Sequence, residues 1–230
     1  MTPIKQWIPT VFQAPVIRKA ALGVAGLAMA GGVVAGPATM AHAATPTADK
    51  PTTTVAAVSQ DKRTSAKELD FDYEFQETYY YCAPAATKMA LSAQGKDFSQ
   101  DEMARKLGTT EAGTDSAVET TRVLKDVTGK DYRTVEISGA QADQGQTDQL
   151  RTDVVRAVDD QRAVVANVAG SAADVDGDRH SYEGGHYIAV TGYADGGDKV
   201  KIGDSWSDKG EYWISTDALA DWIASRGYSA

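Results

Sequence analysis

The chain has 230 residues, with 23 basic and 32 acidic side chains, a formal charge of −9 and 42% apolar residues. That suffices for one globular domain with extensions, and the negative balance argues against a nucleic-acid partner. The single cysteine, Cys82, excludes an internal disulfide framework.

The first 43 residues contain Lys5, Arg18 and Lys19 and no acid. An apolar run from Ala20 to Ala35, the breaker Gly36-Pro37 and the A-x-A site Ala41-His42-Ala43 follow in that order. This is the layout of a secretory signal peptide cleaved near Ala43/Ala44, so the protein is expected to be secreted. The apolar run falls short of the roughly 20 residues that cross a bilayer, so no stable membrane anchor is expected. Cleavage would deepen the formal charge from −9 to −12. Residues 44–67, rich in Thr and Ala, read as a disordered spacer or short pro-segment. Residues 68–230 form the expected domain, a monomer.

Within that domain, Leu69, Phe71, Tyr73 and Phe75 alternate with polar residues as an extended segment leading to Gln76. A helix then runs from Cys82 to about Gln94, with Pro84 in its first turn, where a missing N–H costs little. Its residues Ala85, Ala86, Met89, Ala90 and Ala93 share a small-residue face. Ser99 to Glu102 is a capping box for a short helix stopped by Gly108. The next helix covers Ser116 to Val127, with Val118, Val123, Leu124 and Val127 inward and Gly129 as terminator. A short strand spans Tyr132 to Ile137, followed by a loop from Gly139 to Gln146. A helix marked by Leu150, Val154, Val155 and Val158 comes next, then the buried strand Ala163 to Val168. Ser171 to Glu183 reads as a loop. Strands at His186–Tyr193, Lys199–Asp204 and Glu211–Ile214 form an antiparallel meander, and Ser215 caps a last helix with Leu219, Trp222 and Ile223 inward. The fold class is α+β, a nucleophile helix packed on a mainly antiparallel sheet.

A thiol at a helix start sits at the positive end of the helix dipole, which favours thiolate. Strand parity supplies its partners. His186, Ile188 and Val190 share one face, as do Val200, Ile202 and Asp204. A three-residue turn, Asp195-Gly196-Gly197, sets residue 188 opposite 204 and His186 diagonal to Asp204. If that face packs on the small-residue face of the cysteine helix, Cys82 meets His186. Cys82 would then attack an acyl carbon, His186 would move the proton, and Asp204 would orient the ring. The Cys82 N–H and the Gln76 amide would hold the oxyanion.

Gln76 six positions before Cys82 in Gln-Glu-Thr-Tyr-Tyr-Tyr-Cys-Ala-Pro-Ala-Ala, then Gly184-Gly185-His186-Tyr187-Ile188-Ala189-Val190, then Ile202-Gly203-Asp204-Ser205-Trp206, resembles the bacteriocin-processing peptidase-like branch of the papain-fold cysteine peptidases. The resemblance implies a papain-like fold and thiol-dependent cleavage of a peptide or protein substrate, with Gln76, Cys82, His186 and Asp204 as the catalytic set. Ala83 stands where that family usually has glycine. No attached transporter is expected, so double-glycine leader peptides are not implied as substrates.

No cofactor or metal is expected. Asp174-Val175-Asp176-Gly177-Asp178 has its glycine misplaced for an EF-hand and lacks the bidentate Glu, so a solvated acidic loop is the better reading. His180 falls in a polar loop and is expected to be exposed. Tyr79, Tyr80 and Tyr81 either form a substrate platform or seal the helix to the core. Two other functions share these residues: a transglutaminase-like acyltransferase using the same triad, and a catalytically silent peptide-binding module.

Overall fold

A computed structural model describes residues 65–230. The expected signal peptide and most of the spacer fall on residues 1–64 and lie outside the described residues. Strands β1 (Lys67–Glu68), β2 (Thr134–Ile137), β3 (Val164–Ala173), β4 (Arg179–Ala194), β5 (Lys199–Gly203), β6 (Glu211–Ser215) and β7 (Arg226–Ser229) build one antiparallel sheet. Its order is β2-β7-β3-β4-β5-β6, with β1 added to β4. The helices are α1 (Cys82–Ser92), α2 (Gln100–Leu107), α3 (Ala117–Thr128), α4 (Gln144–Asp159) and α5 (Thr216–Ile223). The α+β class follows from this arrangement.

The sheet lies between two helical layers. Ala189 of β4 pairs with Gly203 and Val165, and Val165 pairs with Ser229. All four residues share one face, which receives α1 and α3. The Phe71 ring and Met89 Sδ pack on Gly203, and the Ser229 hydroxyl meets Thr120 and Thr121, each at 2.7 Å. On the other face the Tyr228 hydroxyl donates to Asp153 of α4 at 3.0 Å, and Trp222 of α5 donates its indole N–H to the Gly170 carbonyl. Strands covered on both sides need apolar residues on both sides. This is why Ala163, Val164, Val165, Ala166 and Val168 run together, all fully buried. Helix α1 is likewise enclosed: Ala83, Ala85, Ala86, Met89, Ala90 and Leu91 are all inaccessible, more than a single small-residue face.

Local signals place most helix ends. Ser99 with Glu102 and Ser116 with Glu119 form reciprocal capping boxes, and Gly108 and Gly129 close their helices in the left-handed conformation. Ser215 caps α5 by accepting from the Ala218 N–H. Four expectations need correction. Helix α4 starts at Gln144, inside the stretch read as a loop, because Asp143 and Gln146 form a third capping box within a glutamine- and glycine-rich segment. Val118 sits in the first turn of α3 and is 53% exposed, while Thr120 and Thr121 take the inward positions. The segment Ser171–Glu183 is largely a hairpin, with only Asp174–Asp178 as its turn; the small residues of its arms show no alternation, yet Ser171 pairs with Ser181. Strand β2 begins at Thr134, since Tyr132 precedes the ladder and donates its hydroxyl to the Ala163 carbonyl. Strand β7 gives no sequence signal, being four residues directly after a helix.

The β4–β5 register agrees with expectation at the site but arises differently. At the turn Ala194 pairs with Lys199, which closes a four-residue rather than a three-residue connection. A bulge at Thr191 between Val190 and Gly192 adds one residue to β4 and restores the offset, so Ala189 faces Gly203. Strand β1 docks at this bulge, with Lys67 and Glu68 opposite Tyr193 and Gly192 and the Leu69 N–H on the Thr191 carbonyl at 2.8 Å. A Cβ on Gly192 would lie 2.9 Å from the Lys67 carbonyl oxygen. Gly192→Ala should therefore detach β1 and cost about 1–3 kcal/mol. Thermal unfolding and hydrogen exchange at the Leu69 amide check this; an unchanged melt with Leu69 still protected would refute it.

Candidate active site

Cys82 is the first residue of α1, and the preceding Tyr81 contributes no side-chain cap. The first N–H groups of the helix are thus left to other acceptors. The sulfur is partly buried and takes hydrogen bonds from the backbone N–H groups of Tyr187 and Ala83. Burial alone would raise its pKa. The hydrogen bond and charge of His186, with the two backbone donors, outweigh burial and hold the thiol below its ordinary value.

His186 is 5% exposed and Asp204 fully buried. The ring Nε2 lies 2.8 Å from Asp204 Oδ1, which leaves Nδ1 for the thiol. Desolvation works to lower the imidazole pKa, but the bonds and charges of Asp204 and Cys82 raise it to about 9. Asp204 shows the converse: burial raises its carboxyl, and His186 chiefly brings it below the usual range. A thiol held low beside an imidazole held high can populate a thiolate–imidazolium pair near neutral pH.

His186 and Cys82 do not meet by the expected packing. Because the Ala189/Gly203 face covers α1, the alternate face carrying His186, Ile188, Ile202 and Asp204 looks toward α5. There Tyr182 stands 4.0 Å from the His186 ring, centroid to centroid, and 5.8 Å from that of Trp222. Contact with the thiol depends on the end of β5. The ladder to β4 stops at Ala189–Gly203, so β4 has no β5 partner beyond that pair. The start of α1 enters at that opening, where the Tyr187 N–H serves the sulfur instead of a strand.

Two phenols that sequence reasoning missed complete the carboxylate's surroundings. The hydroxyls of Tyr182 and Tyr212 each donate to Asp204 Oδ2 at 2.9 Å, while the Trp206 N–H joins His186 on Oδ1 at 3.1 Å. Both oxygens are thus saturated by donors, which favours the anion and fixes its plane. The pairing of Tyr212 with Ile202 on one face is a signal that strand parity could have supplied; Tyr182 is hidden in a stretch that reads as a loop. Tyr212→Phe should leave the fold intact and lower turnover about threefold to tenfold, the effect of one net hydrogen bond. Steady-state kinetics beside a thermal melt check this, and unaltered kcat/KM would refute a positioning role.

Gln76 is 4% exposed and anchored at three atoms. Its backbone N–H donates to the Ser205 carbonyl, its Oε1 accepts from the Ser205 hydroxyl at 3.1 Å, and its Nε2 donates to the Thr78 carbonyl at 2.7 Å. The local backbone bond is real, and the amide's second hydrogen remains. Tyr79, Tyr80 and Tyr81 stack edge to face at 5.0 Å spacings, with Tyr79 largely exposed and the Tyr81 hydroxyl on Asp101. They form an accessible ladder rather than a seal.

His180 is buried, contrary to expectation. It lies 3.2 Å from Asp174 and stacks on Tyr212 at 3.8 Å. The acidic turn closes around the Lys209 ammonium, 2.7, 3.2 and 2.5 Å from Asp174, Asp176 and Asp178. Among the described residues no cluster is arranged to hold a metal ion.

A cysteine at a helix start beside a strand histidine and a buried carboxylate, on an antiparallel sheet, defines the papain-like peptidase architecture. The chain belongs to the Peptidase_C39 like family, which matches residues 68–230. A solved structure described as a C39-like peptidase from Bacillus anthracis superposes with TM-score 0.50 at 11% identity, covering 72% of this chain and 96% of that one. The peptidase domain of Streptococcus ComA, a bifunctional ABC transporter, gives 0.47 at 17% identity over 70% and 96%. No curated protein sequence matches the chain. No helix among the described residues is long and apolar enough to cross a membrane.

Proposed function

We propose that this C39-like peptidase is an exported enzyme of the cysteine type, hydrolysing peptide bonds outside the cell with Cys82 as nucleophile. The observation that carries the reading is His186, bonded to buried Asp204 through Nε2 and holding the Cys82 thiol down. The thiolate attacks the peptide carbonyl and forms a C–S bond. The imidazolium gives its proton to the departing amine, leaving a thioester; neutral His186 then takes a proton from water as the water's oxygen attacks that thioester, and the C–S bond breaks to release the acid and return the Cys82 thiolate beside the imidazolium. Asp204 holds the ring and stabilises its charged form throughout. The Cys82 N–H at the uncapped start of α1 and the second hydrogen of the Gln76 amide serve the oxyanion of each tetrahedral intermediate. The ~163-residue domain acts as a monomer on a peptide or protein substrate.

The test is to incubate the mature protein with a diverse peptide library, read cleavage sites by mass, and repeat with excess primary amine and with iodoacetamide. Cleavage abolished by alkylation supports the proposal. Amine-capped products instead of acids would identify an acyltransferase, and binding without product a silent module. Export is checked separately: intact mass of protein from the medium should begin near Ala44, and retention of Met1 to Lys19 would refute it.

A further inference from the structure

A cavity of about 390 Å³ adjoins the candidate site, lined among others by Asp115, Glu136, Asn167 and Arg226. Its position is set by the sheet: Asn167 is the cross-strand partner of Tyr187, whose N–H bonds the Cys82 sulfur. Arg226 packs on Gly185, the residue before His186, where a Cβ would lie 3.3 Å from Nη2. Gly185 holds φ +94°, so both the conformation and the close approach of the guanidinium require glycine.

Two polar groups here lack partners. Asn167 is 4% exposed, its amide lies beside the Tyr187 hydroxyl, and its Oδ1 is buried without a hydrogen bond. A buried acceptor left empty is costly, and a bound donor would recover that loss. The half-buried Arg226 guanidinium makes no hydrogen bond or ion pair among the described residues, although two carboxylates, Asp115 and Glu136, line the same cavity from exposed positions. A guanidinium that neighbouring acids do not engage is open to a planar, bidentate anion.

We infer that this cavity is a substrate subsite that binds a carboxylate close to the scissile bond, through Arg226, while Asn167 Oδ1 accepts an N–H of the same peptide. An Asp or Glu side chain and a free C-terminus carry the same carboxylate, and the probes below distinguish the two sources. The inference rests on the peptidase reading for its meaning but is tested by binding as well as turnover.

The probes are acetylated hexapeptides carrying one Glu, their Gln and Lys counterparts, and the same neutral peptides with free-acid or amidated C-termini. Binding to Cys82→Ala protein is measured by calorimetry and cleavage by the native protein by mass. Glu peptides should bind, and be cleaved, about tenfold better than Gln peptides if a side chain is read. The gain should instead follow the free acid if the C-terminus is read. In Arg226→Gln the acid-to-neutral ratio should fall to within about twofold, and Arg226→Lys should retain part of it; far-UV spectra and melts confirm that both variants fold. An unchanged ratio in Arg226→Gln, no acid preference in the native ratios, or preference for Lys overturns the subsite. Failure of the peptidase reading looks different: no cleavage of any probe, with the acid preference in binding intact.

Discussion

Cys82→Ala is expected to abolish hydrolysis, with kcat/KM falling at least about 10⁴-fold, and to abolish labelling by iodoacetamide, since the chain holds no other thiol. The fold should survive. The change removes one partly buried sulfur at the start of α1, whose enclosure by Ala83, Ala86, Met89 and Leu91 remains. His186 keeps Asp204 as partner but loses the hydrogen bond and charge of the thiolate, so its pKa should drop from about 9. Turnover, mass shift on alkylation, a thermal melt and NMR titration of the ring together check the result. Residual turnover above about one part in a thousand, or loss of a cooperative melt, would refute a catalytic thiol.

Asp204→Asn should separate geometry from charge. The amide oxygen can keep the His186 and Trp206 bonds, and the Tyr182 and Tyr212 hydroxyls can turn to accept from the amide nitrogen. Asp204→Ala leaves both phenols and the Trp206 N–H without that partner. Activity should therefore fall about two orders of magnitude in Asp204→Asn and at least about three in Asp204→Ala. The signs follow from the pKa shifts. His186, raised to about 9 in the folded chain, contributes stability in full below the ordinary imidazole pKa near 6.5 and loses it as pH rises through about 9. Asp204, lowered by folding, contributes above the usual carboxylate range and loses its share as pH falls. The stability gap between native protein and Asp204→Asn should thus be widest between about pH 5 and 6.5 and narrow as pH rises through about 9, where the His186 share is lost. The alkaline limb of kcat/KM should move to lower pH, because the imidazolium has lost its anion. Equal losses in both variants, or an unmoved alkaline limb, would show that Asp204 does not act through His186.

Chain chemistry that acts over a few residues is legible in the sequence itself. Ser99, Glu102 and Gly108 bracket α2, Ser116, Glu119 and Gly129 bracket α3, and Pro84 fixes the first turn of α1 at Cys82. Capping and left-handed termini depend on side chains within four positions, so sequence alone determines them. Strand parity also places His186 and Asp204 together, since period-two alternation survives any turn that restores the register. How the register is restored does not show. The Thr191 bulge lies where β1 docks, and its neighbour there, Glu68, is 123 positions away.

The meeting of thiol and imidazole is tertiary in origin. The face assigned to α1 proved to be the one beneath α5, and both faces of β4 are apolar, so composition could not distinguish them. Only the end of β5 at Gly203, which exposes the Tyr187 N–H to α1, decides that Cys82 reaches His186. The Tyr182 and Tyr212 bonds to Asp204, the burial of His180 and the empty Asn167 acceptor beside Arg226 all join residues from separate segments of the chain. Sequence determined which side chains could do the chemistry; which of them share a site was decided by where the sheet opens.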